Sequence, residues 1–149
     1  MDGSVLTGEY KNTLDEKGRI MFPAKLRSDL PEQRLIVTCG LDDCLWLFTL
    51  AEWKLFSDDI MEKASPFSRE SRLVVRRIIA PAQEVEIDKG GRLSIPQSLR
   101  EYAGLEKDCI YLGLYKYVEL WSEQKYEDYL KETEPDFLEA AEGLSKIRL

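Results

Sequence analysis

The stretch Leu14-Asp15-Glu16-Lys17-Gly18-Arg19-Ile20-Met21-Phe22-Pro23 returns, 73 residues further on, as Ile87-Asp88-Lys89-Gly90-Gly91-Arg92-Leu93-Ser94-Ile95-Pro96. Aspartate, glycine, arginine and proline keep their spacing, and apolar residues match at 14/87, 20/93 and 22/95. The same offset pairs Leu26 with Leu99, Arg27 with Arg100, Gly40 with Gly113, Leu41 with Leu114 and Leu47 with Leu120. A register held this far marks a duplicated module rather than a shared turn. A module of roughly fifty residues is marginal alone, so each copy is expected to complete the other around one core.

Local signals place strands and helices within each copy. Residues 9–14 read as a strand, with Tyr10, Asn12 and Leu14 on one face and Glu9, Lys11 and Thr13 on the other. Asp15 and Gly18 take the first and fourth positions of a turn, where Asp bonds the backbone and Gly accepts positive φ. Residues 19–22 then return, so 15–19 is expected to be a hairpin tip. Pro23 suits the first turn of a short helix over 24–30, which Pro31 ends. The apolar runs 35–39 and 45–49 read as a second, buried hairpin. Thr49 and Glu52 have the spacing of a capping box, and Trp53, Phe56 and Ile60 follow on one helical face.

Ser65-Pro66 opens a linking helix over 67–79, with Phe67, Val74, Val75 and Ile78 apolar, and Pro81 closes it. The pattern then repeats: a strand over 83–87, a tip from Asp88 to Arg92, a helix after Pro96 ended by Gly104, a hairpin over 109–121, and a helix capped by Ser122. After Pro135 an acidic stretch with Phe137, Leu138, Ala141, Leu144 and Ile147 reads as a frayed amphipathic helix with no counterpart in the first copy. The expected organisation is α+β: a first module over 9–56, a linking helical segment over 57–81, a second module over 82–125 and an acidic tail over 126–149.

A net charge of -7 argues at first against a nucleic-acid partner, because neutralising phosphates takes Lys and Arg. The distribution weakens that objection. From Glu119 onward, nine acidic residues face four basic ones, whereas residues 14–27 carry Lys17, Arg19, Lys25 and Arg27 against Asp15 and Glu16. Residues 69–77 add Arg69, Arg72, Arg76 and Arg77 against Glu70. Arg72, Arg76 and Arg77, at helical spacing, fit a solvated face first, an intersubunit salt-bridge row second and phosphate contacts third. No apolar run approaches the roughly 18 residues of a membrane span, and no leader pattern is present, so a cytoplasmic protein is expected.

Enzyme chemistry is poorly served. There is no histidine, no nucleophile elbow and no phosphate-binding glycine loop. Cys39, Cys44 and Cys109 sit in apolar runs and read as buried thiols, so neither a metal nor another cofactor is expected. The tryptophans at 46, 53 and 121 read as core or subunit interface. Arg19 and Arg92 are the more informative residues. At the base of an exposed tip, an Arg fork can pair with O6 and N7 of guanine while Lys17 and Lys89 reach phosphates. An ion pair to Asp15 or Asp88 that merely holds the tip is the plainer reading, and the two are compatible.

Both Asp-x-x-x-Arg elements continue into an apolar residue, a short gap and a proline, and in this the chain resembles the MraZ family of bacterial regulators. Their pattern is two such elements in paired SpoVT/AbrB-like modules. The resemblance implies two tandem SpoVT/AbrB-like β-α-β modules, related by an internal pseudo-two-fold and forming one compact barrel-like domain. It also implies a ring-shaped homo-oligomer in the nucleoid that binds double-stranded DNA at G-rich direct repeats upstream of the division and cell-wall gene cluster, as a transcriptional regulator. By position, the DNA contacts fall on Arg19 and Arg92 with Lys17 and Lys89 in support, on turns built by Asp15, Gly18, Asp88 and Gly91. The tips differ, Glu16-Lys17 against Lys89-Gly90, so equal contacts are not expected. Residues 1–4 depart from the short start of the family. Two other classes stay open: an antitoxin-like interaction protein acting through residues 136–149, and a structural ring cemented by Asp-Arg pairs.

Overall fold

The structure is a computed structural model, and it describes residues 5–144. The expectations for residues 1–4 and for Ile147 lie outside the described residues. The first copy runs β1 (Leu6–Thr13), β2 (Arg19–Met21), α1 (Ala24–Arg27), β3 (Arg34–Cys39), β4 (Leu45–Phe48) and α2 (Leu50–Lys63). A linker of α3 (Arg69–Val74) and one π turn (Val75–Ile79) follows. The second copy runs β5 (Gln83–Glu86), β6 (Arg92–Ser94), α4 (Gln97–Ala103), β7 (Asp108–Tyr115), β8 (Val118–Ser122) and α5 (Glu123–Thr133). A 3-10 turn (Glu134–Asp136) leads into α6 (Phe137–Gly143). The fold is α+β with two tandem β-α-β modules.

Hairpins β3–β4 and β7–β8 pair within a copy, and every other strand pairing runs between the copies. The larger sheet has the order β1-β7-β8-β4-β3-β5, and β2 pairs with β6 in a separate ribbon. The first strand of each copy therefore lies on the second hairpin of the other. At the centre of β2–β6 Ile20 faces Leu93, and at the centre of β4–β8 Trp46 faces Glu119. Both central pairs obey the repeat offset, so the internal two-fold passes through them. The sheet stays open, with β1 and β5 at its edges, and no closed barrel forms among the described residues.

Three sequence readings change. Strand β1 begins at Leu6, and the hairpin expected from residues 9–22 survives only as the single bridge Leu14–Ile20. A three-residue strand returning on its neighbour would leave Ile20 half covered; pairing across the two-fold seats it against Leu93, and both are at most 1 % exposed. The linking helix starts later than expected, because Ser68 caps it by accepting from the Ser71 N–H at 3.2 Å, which leaves Phe67 outside and 92 % exposed. The unbroken sequence offset also hides a shift. Ile36 faces Phe48, but Trp121, the counterpart of Phe48, faces Ile110 rather than Cys109. The second copy has one residue more before β7 and one fewer in the turn after it, so Gly40 and Gly113 are not equivalent.

Helix boundaries follow local chemistry. Thr49 caps α2 through the Glu52 N–H, Ser122 caps α5 through the Lys125 N–H, and Gly104 ends α4 in the left-handed region at φ 59°. One face of the large sheet packs Leu35, Val37, Leu45, Leu47, Tyr111 and Leu120 against Ile20, Phe22, Leu26, Leu93, Ile95 and Leu99. The other packs Trp46, Phe48, Ile110 and Trp121 against Trp53 and Phe56 of α2 and Tyr126 and Tyr129 of α5. Strand β4 is buried on both faces, which is why its sequence reads as an unbroken apolar run.

Glu119 places a carboxylate in this packing. Its two carboxylate oxygens each accept one indole N–H, from Trp46 and Trp121, both at 2.9 Å. Glu119→Gln should replace one acceptor with an NH2 group facing a donor, at a cost of about 1–3 kcal/mol in urea unfolding. A loss well below that would mean the indoles find other acceptors.

Candidate nucleic-acid interface

Each tip is folded by its own aspartate. Asp15 Oδ1 accepts the backbone N–H groups of Lys17 and Arg19 at 2.9 and 2.8 Å, and Oδ2 accepts Arg19 Nε at 2.8 Å. The Gly18 N–H closes the turn onto the Asp15 carbonyl at 3.0 Å, at a φ of 80° that a residue with a Cβ rarely adopts. In the second copy Asp88 Oδ1 accepts from Gly90 and Arg92 N–H at 2.8 and 2.9 Å, and Gly91 has φ 86°. The backbone bond from Arg19 is the main cause that lowers the Asp15 pKa, and the bond from Arg92 does the same for Asp88.

The tips differ in the arginine itself. Arg92 Nε lies 3.4 Å from Asp88 Oδ2, an ion pair in which Nε makes no hydrogen bond among the described residues. Arg19 is tied to its aspartate and Arg92 is held more loosely, with side-chain exposures of 30 % and 39 %.

The ribbon sets where these side chains point. With Ile20 and Leu93 in the core, strand alternation puts Arg19, Met21, Arg92 and Ser94 on the opposite, outward face. Two further bonds related by the two-fold, Phe22 N–H to the Gly91 carbonyl and Ile95 N–H to the Gly18 carbonyl, both 2.9 Å, fix the tips to each other. Lys17 and Lys89 are exposed beside them. The structure thus brings Asp15, Lys17, Gly18, Arg19, Asp88, Lys89, Gly91 and Arg92 onto one ribbon.

Two arginines belong with this group: sequence reasoning counted Arg27 in the basic stretch 14–27 but assigned neither it nor Arg100 to a tip. Arg100, at the end of the first turn of α4, packs against Gly18, and Arg27 of α1 packs against Gly91, so each copy braces the tip of the other. Arg100 Nη1 also donates to the Ile95 carbonyl at 3.1 Å. Neither arginine has an ion-pair partner among the described residues. Their recurrence at the repeat offset was the available signal; that they cross to the other tip is a tertiary fact. Lys17, Arg19, Arg27, Lys89, Arg92 and Arg100 stand against Asp15, Glu16 and Asp88, a local cationic surplus on an acidic chain.

The linker arginines divide. Arg77 donates to the Tyr102 hydroxyl and, at 3.2 Å, to the Leu41 carbonyl, and stacks 5.2 Å from the Tyr102 ring. Arg72 donates to the Pro66 carbonyl at 2.9 Å. Both hold local structure; Arg77 is exposed nonetheless, as are Arg69 and Arg76. Trp46 and Trp121 are buried and offer no stacking platform. The three cysteines are buried and unpaired; burial pushes the Cys109 thiol up to about 12 and that of Cys44 higher still. Among the described residues no cluster of metal-ligating side chains occurs and no helix is long and apolar enough to cross a membrane.

The MraZ family model matches twice, over residues 5–77 and 78–146. The chain belongs to the MraZ family. It is 67 % identical over 142 residues, 95 % of this chain and 99 % of the other, to a protein of Treponema denticola named transcriptional regulator MraZ. Identity is 51 % to the protein of that name from Treponema pallidum, over the whole of both chains. It is 41 % to the one from Caldanaerobacter subterraneus, over 97 % of this chain and 100 % of the other.

Gly18→Ala and Gly91→Ala should each cost about 1–2 kcal/mol from the left-handed backbone alone, and more because a Cβ collides with Arg100 or Arg27. Gly90→Ala, where φ is not positive, should cost less in parallel urea titrations; equal losses would contradict the assignment. Because folding lowers both aspartate pKa values, their contribution to stability is complete above the unfolded Asp range and is lost as pH falls through the folded values. Carbon-detected NMR titration should place the Asp15 and Asp88 midpoints below those of the unfolded chain, and midpoints at or above them would refute this.

Proposed function

We propose that the chain is a sequence-specific, double-stranded-DNA-binding transcriptional regulator, with the β2–β6 ribbon as its reading head. The observation that carries this reading is the pair of tips related by the two-fold, which present Arg19 and Arg92 on the outward face of a rigid two-stranded ribbon. A ribbon of that width fits a major groove, where an Arg fork can pair with guanine O6 and N7. Lys17, Lys89, Arg27 and Arg100 supply neighbouring charge for phosphates. The curated relatives carry the name transcriptional regulator, which supports the same reading.

In its fuller form the protein assembles into a ring in the cytoplasm, at the nucleoid, and binds G-rich direct repeats upstream of the division and cell-wall gene cluster that includes its own gene. One ribbon makes few contacts, but several held in fixed geometry gain avidity of ~100-fold or more. Side-by-side subunits suit direct repeats, meeting the same groove about every 10 base pairs. No cofactor or catalytic step enters this reading. Arg92, held loosely at its aspartate, is free to adjust to a base; Arg19 is presented in a fixed pose.

Binding of the purified protein to a duplex from upstream of its own gene, against a scrambled duplex over a salt series, tests the reading. Arg19→Ala and Arg92→Ala should each lose roughly 1–3 kcal/mol of discrimination at an unchanged oligomer size. Lys17→Ala should weaken both duplexes alike and reduce the salt slope by about one. If no salt concentration reveals a preference for the native duplex, the ring is a scaffold or an antitoxin-like partner-binding protein. Dissolution of the oligomer by Arg19→Ala would instead assign the Asp-Arg pairs to assembly.

A further inference from the structure

The chain carries two unlike apolar surfaces of opposite charge. One is a hollow of about 380 Å³ between the end of α2 and α3, walled by Met61, Ala64, Pro66 and Val75 and edged by Arg72 and Arg76. Its rim is preformed: Arg72 donates to the Pro66 carbonyl, and the Ser65 N–H donates to Ser71 Oγ at 3.1 Å. Met61 is 50 % exposed and Phe67, beside Pro66, is 92 % exposed. The surrounding linker holds Arg69, Arg72, Arg76 and Arg77 against Glu70.

The other surface is α6. Phe137 and Leu138 are 67 % and 73 % exposed, and no residue of the helix is buried. The segment around them carries Glu132, Glu134, Asp136, Glu139 and Glu142 against Lys131. Side chains of that size left in water on an ordered helix mark a contact surface.

We propose that α6 of one copy docks into the α2–α3 hollow of a second copy, with Phe137 and Leu138 on the apolar wall and the acidic residues of α6 against Arg72 and Arg76. The charges on the two surfaces complement each other and repel self-pairing of either one, so the contact is between unlike faces. The hollow follows α2 and the tail follows α5, so each chain carries one surface of each kind, and a docked pair keeps a free hollow on one chain and a free tail on the other. Repetition of such a contact makes a ring when its rotation closes. This inference rests on the ring reading given above and names the surfaces that build it.

The test is mixing of two variants with one blocked surface each. Met61→Glu with Arg76→Glu blocks the hollow, and Phe137→Lys with Leu138→Lys blocks the tail; all four positions are exposed, so folding should be retained by circular dichroism. By light scattering the unaltered chain should be a large assembly, each variant a monomer, and a 1:1 mixture a dimer that grows no further. One intact tail meets one intact hollow, and both outer ends are blocked. Variants that keep the full size would overturn the proposal and leave the ring standing on other surfaces. A mixture that stays monomeric would overturn the pairing of these two surfaces. An unaltered chain that is monomeric at every concentration would overturn the ring reading itself, and this proposal with it.

Discussion

The antiparallel pairing of β2 with β6 is the contact on which the remaining geometry depends. It is short, three residues on each side, yet it orients both tips, buries Ile20 against Leu93 and leaves the opposite face to arginine. Short ribbons are not stable in isolation. This one is held because its inward face covers a sheet whose central strands come from both copies, and because Phe22 and Ile95 each tie it to the opposite tip. Core and candidate reading head are thus one structure, and a change in packing beneath the ribbon would be felt at the tips.

The repeat, the helix caps and the turn chemistry were legible in the sequence because each is decided within a few residues. Asp15 and Gly18 specify a turn whatever the strands beside it do, and Thr49 and Ser122 satisfy N–H groups three residues away. Partner choice was not legible. Tyr10, Asn12 and Leu14 alternate as a strand should, but alternation says which face is buried and not which strand lies alongside. The crossing of Arg27 and Arg100 was hidden for the same reason, although both recur in register.

Two differences show where the copies have diverged beneath a matching sequence. The one-residue shift between β3 and β7 cannot be found by offset alone, since an insertion and a compensating deletion leave the total unchanged. Glu119 stands where the first copy has Trp46, at the centre of the molecule, and the carboxylate accepts from that very tryptophan. The internal symmetry is thus broken at its axis by an interaction that requires unlike partners. The unequal ties of Arg19 and Arg92 extend this divergence to the tips.

The pairing of β1 with β7 has a consequence for how the chain is made. Leu6 meets Tyr115 and Thr13 meets Asp108, so all of β1 leaves the ribosome well before any residue of its sheet partner has been made. A strand whose neighbour is synthesised so late spends most of translation without a template, and contacts this distant in sequence are slow to close. Completion of the large sheet therefore waits for the second repeat, and until β7 is made the nascent chain exposes an unpaired edge open to the β7 of a neighbouring chain.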